Sequence, residues 1–96
     1  MKRESNKLLT ASVVKLMHRG ATSQLRKIIG RTHPADLAYT FSSLAPEHRR
    51  GFFDLLEETD LQKAAAVLSE LESGVLVRVL DELEDKRLVE LLEVMA

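Results

Sequence analysis

The sequence predicts an all-α fold, a solenoid of about seven short helices stacked as helical hairpins, and three observations predict it. From His33 to Met95 five blocks end at Leu44, Leu56, Leu71, Leu83 and Met95, nearly all about twelve residues apart. The position three before each ending reads Phe41, Phe53, Leu68, Leu80 and Leu92. Four before come Thr40, Phe52, Val67, Val79 and Leu91, and seven before come Leu37, Arg49, Ala64, Leu76 and Leu88. Such offsets share one stripe of a helix with 3.6 residues per turn. No segment shows the alternation of a half-buried strand. Helices of about three turns do not persist alone in water, so each block must bury its stripe against its neighbours.

Taken in order, Leu8, Leu9, Val13, Leu16 and Met17 mark a first helix from Ser5 to Arg19, with Gly20 as its stop. Leu25, Ile28 and Ile29 mark a short second helix stopped at Gly30. Pro34 and Pro46 suit first helical positions, because a proline lacks only an N–H that would have had no intrahelical partner. They make His33 and Ala45 the capping residues. Asp36, Glu47, Asp60 and Asp85 fall in or just before first turns, where a carboxylate complements exposed N–H groups and the helix dipole. Ser73 is the expected N-cap of the fourth block, and Gly51 marks close helix–helix contact inside the second. Connections of two to four residues remain.

Ninety-six residues make one domain, 1–96, with basic helices over 1–31 and short-helix repeats over 32–96. The absence of cysteine excludes a disulfide framework and thiolate chemistry and suits a reducing compartment. No apolar run is long enough to cross a bilayer, and the start MKRESNKLL lacks the apolar stretch of an export signal. A cytoplasmic location is expected.

The net charge of −1 hides a division. Up to Arg31 there are eight Lys and Arg (Lys2, Arg3, Lys7, Lys15, Arg19, Arg26, Lys27, Arg31) against Glu4 alone, a balance of +7; from Thr32 onward six basic residues face fourteen acidic ones, a balance of −8. The basic end is either a solvated face or a contact for anionic lipid, nucleic acid or an acidic protein. Nucleic acid is disfavoured. The aromatics are Tyr39, Phe41, Phe52 and Phe53, three of them on or beside core stripes, and the later helices are acidic.

Asp81, Glu82, Glu84 and Asp85 cluster at the junction of the fourth and fifth blocks. Carboxylates at a turn can hold Mg²⁺ weakly through oxygens and retained water. They also serve as an acidic linker complementing a helix dipole, or as a face that repels an acidic neighbour until cations screen it. The three histidines show no i, i+4 metal spacing: His18 reads as a helix C-terminal cation, His33 as a cap and His48 as a first-turn surface residue. No phosphate loop, nucleophile elbow or activated serine is present, so no catalytic, cofactor or metal residue is assigned and an enzyme is not expected.

The segment His33-Pro34-Ala35-Asp36-Leu37-Ala38 is more specific. With the helix Ser23-Gln24-Leu25-Arg26-Lys27-Ile28-Ile29, then Leu44-Ala45-Pro46-Glu47-His48-Arg49 and the block Ala65-Ala66-Val67-Leu68-Ser69-Glu70-Leu71, the stretch from Ala21 to Met95 resembles the N-terminal cytosolic domain of the MgtE family of magnesium transporters. The resemblance implies a right-handed superhelix, followed in the family by paired CBS domains and a membrane channel. It implies a regulatory or docking role in Mg²⁺-dependent gating, with the CBS domains and channel as partners and Mg²⁺ at the interface between cytosolic domains. The resemblance places the first of the family's cation-binding acidic positions on Ala66 and others beyond Ala96, so no metal ligand carries over.

The alternative is a protein-interaction solenoid without a cation role, of the kind found in flagellar motor proteins. In either case an uncapped solenoid end at Leu88, Leu91, Leu92 and Met95 invites self-association.

Overall fold

The computed structural model describes residues 2–95, and side chains from Ser5 onward apart from Ala96. Seven helices and no strand occur among the described residues: α1 (Lys2–Arg19), α2 (Thr22–Arg31), α3 (Pro34–Ser43), α4 (Pro46–Thr59), α5 (Leu61–Glu70), α6 (Ser73–Glu82) and α7 (Asp85–Met95). The odd-numbered helices form one row in which α1 packs on α3, α3 on α5 and α5 on α7, while α2 packs on α4. Packing of alternate helices along the odd-numbered row, and of α2 on α4, is compatible with a superhelical stack.

The block-ending leucines turn the chain. Leu44, Leu71 and Leu83 are extended C-caps, each donating its N–H back to a carbonyl of the last turn. Leu56 departs from this pattern, because α4 runs on through Glu57, Glu58 and Thr59. That extra turn explains the wider step from Leu56 to Leu71. Asp60 then serves both sides: its N–H donates to the Leu56 carbonyl at 2.9 Å, and its Oδ1 accepts from the Lys63 N–H at 3.0 Å. The α4–α5 connection is therefore one residue, shorter than expected.

At the end of α1, Gly20 has φ +67°, the left-handed conformation in which a side chain is strained. Its N–H donates to the Met17 carbonyl at 3.1 Å, and the Ala21 N–H donates to the Leu16 carbonyl at 2.9 Å, a pair of bonds that closes the orphan carbonyls of the last turn. Gly30 is a correction, since α2 continues through it to Arg31 and the stop comes at Thr32. Ser73 is another: the extended residue before α6 is Glu72, whose side chain makes no cap bond, and Ser73 is already helical. His33 does cap α3, its Nδ1 accepting from the Ala35 N–H at 3.2 Å. A Cβ added at exposed Gly51 would lie 3.6 Å from Met17 Cε, an ordinary van der Waals contact with the end of a side chain, so this glycine is not required by a close backbone approach of α1 to α4.

One contiguous core joins these elements, from Val13 of α1 through Ile29, Leu37, Phe41, Phe52, Leu56 and Leu68 to Leu91 of α7. Phe41 and Phe53 meet edge to face at 5.9 Å. Two cations tie helix ends across the stack. Arg49 donates from Nη2 to the Ser42 carbonyl at 2.8 Å, and Lys63 donates from Nζ to the carbonyls of Ile29 and Gly30 at 2.9 and 3.1 Å. A cation there satisfies acceptors that α2 cannot and lies at the negative end of its dipole. Lys63→Met, which keeps the stem and removes the donor, should lower the urea-unfolding free energy by about 1 kcal/mol. Unchanged stability would mean that water replaces the ammonium without cost.

Candidate functional site

The acidic junction is built by the turn between α6 and α7. Asp81 and Glu82 close α6, Glu84 lies in the connection and accepts the Leu88 N–H at 3.0 Å through its carbonyl, and Asp85 opens α7. All four side chains are exposed, and among the described residues none of them forms an ion pair. The structure does not gather them: Glu82 lines a groove on the α3–α4 side, and no three His, Asp or Glu residues among those described form a set that could hold a metal ion. The junction is thus a surface of exposed carboxylates without ion-pair partners among the described residues.

A second acidic feature went unread in the sequence. Asp54 and Glu57 lie one turn apart on α4, and Arg87 of α7 reaches both, at 2.7 Å to Asp54 Oδ1 and in hydrogen-bond contact with Glu57 Oε1. The Glu57 side chain is only 10 % exposed, against 28 % for Arg87 and 43 % for Asp54. The hydrogen bond that Arg87 donates to Glu57 is the largest influence raising the Arg87 pKa above its ordinary value, with Asp54 adding to it and burial opposing it. Glu58 and Glu90 line the same α4–α7 cleft. An arginine thus stands where a cation would otherwise be needed. No local spacing could have announced it, because the partners are about thirty residues apart.

The histidines are likewise brought together across the fold. His18, in the last turn of α1, and His48, half-buried in the first turn of α4, place their ring centroids 5.1 Å apart at 59°. His33 stays at its cap. In the basic N-terminal part, Lys7, Lys15, Arg19, Arg26, Lys27 and Arg31 are all exposed, and the side chains of Lys2, Arg3 and Glu4 lie outside the described residues. Arg26 meets Glu58 at 3.7 Å with both side chains more than half exposed, a pair worth little.

The expected self-association face is corrected in part. Leu91 is fully buried and Leu88 is half-buried, whereas Val89, Leu92, Val94 and Met95 carry the exposed apolar surface of α7. Helix α7 turns Leu91 toward α5, on which it packs, and leaves the other stripe outward.

No helix among the described residues is long and apolar enough to cross a membrane. Comparison with curated proteins and with solved structures gives no match. A family model does match: the MgtE intracellular N domain, over residues 32–96. The matched stretch begins just before the His33 cap and takes in α3 to α7, while α1 and α2 lie before it and still contribute Val13, Leu25 and Ile29 to the same core. With well over half of its length inside that match, the chain belongs to the MgtE intracellular N domain family, the domain of MgtE magnesium transporters.

Proposed function

We propose that this chain is a cytosolic, non-catalytic regulatory domain of an MgtE-type magnesium transporter, docking onto CBS domains in a Mg²⁺-dependent way and biasing the pore of the membrane part. The observation that carries the reading is the family match over 32–96. The exposed, unpaired carboxylates at the α6–α7 junction support it physically. Like charges on two facing acidic domains repel, and divalent cations between them lower that repulsion. A cation bound only in the docked arrangement shifts the population toward that arrangement. Charge and fold supply a face; the partner supplies the remaining ligands.

The test is association of this chain with the CBS-domain pair of its transporter, measured by calorimetry in Mg²⁺ and in EDTA at constant ionic strength, with Ca²⁺ and Na⁺ as controls. Binding should appear in Mg²⁺ and weaken by at least about tenfold in EDTA. Equal binding in EDTA would leave a docking solenoid without a cation role, and absence of binding in either would remove the proposal. An amide NMR titration of the chain alone with Mg²⁺ adds a local reading. Saturable shifts confined to Asp81–Glu93 would place part of the sensor on this chain, and their absence would place the affinity at the interface.

A further inference from the structure

Residues 32–96 carry a balance of −8 and only six cations, yet four of those six, Arg49, Arg50, Arg78 and Arg87, line one groove between α3–α4 and α6–α7. The groove encloses about 160 Å³, and its floor includes Phe41, Phe53 and Val79, all of them buried. It exists because α6 sits loosely over the stack, with Val79 its one buried residue. Arg49 is committed to the end of α3 and Arg87 to Asp54 and Glu57. Arg50 and Arg78 are exposed and, among the described residues, have no carboxylate partner.

We propose that this groove docks an acidic peptide segment of a partner protein, which lays an apolar side chain over Phe41, Phe53 and Val79 while flanking carboxylates meet Arg50 and Arg78. Size and charge select this occupant. Pockets for drug-sized molecules run to roughly 300–1,000 Å³, so this one suits a single anchoring side chain. Arginines around an apolar floor favour an anion with an apolar body over a bare phosphate, and their planar forks match carboxylates. Among the described residues, the carboxylates on the rim are Asp54, already held by Arg87, and Glu82. The groove shares Glu82 with the acidic α6–α7 junction but differs from it in carrying four arginines, and the inference stands whether or not the chain regulates a transporter.

The probe is the peptide acetyl-Asp-Glu-Leu-Leu-Phe-Glu-Asp-amide, followed by fluorescence anisotropy and amide NMR with the full chain. One control peptide carries Asn and Gln for the acids, and another carries Ala for Leu and Phe. Saturable binding is expected, with shifts centred on Phe53, Val75, Arg78 and Val79 and with both control peptides weaker. The double variant Arg50→Gln with Arg78→Gln should weaken binding about tenfold and leave the melting curve unchanged, since both side chains are exposed. Arg26→Gln with Lys27→Gln should leave binding unchanged. Equal binding of the amide control, shifts centred on α1 or α2, indifference to the Arg50 and Arg78 changes, or no saturation below roughly 1 mM would each overturn the proposal.

Discussion

Leu91→Asp is expected to release α7 from α5 and remove most of the stability of the fold. Leu91 is fully buried, and truncating such a leucine to alanine already costs about 2–5 kcal/mol through lost transfer energy and an unfilled cavity. A carboxylate adds the cost of placing a polar group without a partner in the core that α7 shares with α5. A chain of this length has on the order of 5–14 kcal/mol in total, so α7 should detach before the rest unfolds. The measurement is urea unfolding by circular dichroism, together with the amide spectrum of residues 85–95. Leu92→Asp is the comparison. That side chain is 52 % exposed, so its stability should stay within about 0.5 kcal/mol of the parent. If both variants melted alike, the assignment of the α7 stripe would be wrong. If Leu92→Asp lowered the solution mass while the fold survived, the exposed stripe of α7 would be a contact between copies.

The difference between Leu91 and Leu92 marks how far periodicity reaches. A repeat of about twelve residues with apolar stripes identifies helices and their number, because burying a stripe every 3.6 residues constrains the sequence directly. Pro34, Pro46 and Asp60 fix starts through the chemistry of an N-terminus, and Gly20 fixes a stop through its left-handed φ. Gly30 fails as a stop because a glycine is a cap only when the chain needs that conformation; here α2 runs through it to Arg31. Ser73 fails as a cap because Glu72 already takes the extended position. Which of several leucines in α7 faces inward depends on the neighbour it meets, and a stripe alone does not name that neighbour. The candidate sites follow the same division. The carboxylates at Asp81–Asp85 are adjacent in sequence and legible as a cluster, whereas the arginine groove, the histidine contact and the Arg87 node join residues about thirty apart, where no local pattern exists.

Arg87→Met should cost about 2 kcal/mol, and most of that cost belongs to the carboxylate left behind. Fully buried pairs lose about 3–5 kcal/mol when one partner is removed. Here Arg87 keeps 28 % exposure and Asp54 43 %, so water recovers part of the loss, while Glu57 at 10 % has little access to water. Glu57→Gln in the Arg87→Met background should therefore restore about 1 kcal/mol, whereas Glu57→Gln alone should destabilise, giving a clear interaction term in the double-mutant cycle. The pH dependence has a definite sign. Arg87 has its pKa raised in the folded chain, so its contribution is complete below the ordinary arginine value and would be lost only as pH rises through the still higher folded value. Between neutral and mildly alkaline pH the arginine's share of the difference between parent and Arg87→Met should accordingly stay constant. An additive cycle, or a loss under about 0.5 kcal/mol, would reduce the node to a solvated surface contact. A coupled cycle would instead make Arg87 the internal cation that holds Asp54 and Glu57 together across α4 and α7, while Glu90 of the same cleft and the α6–α7 junction keep carboxylates without an ion-pair partner among the described residues.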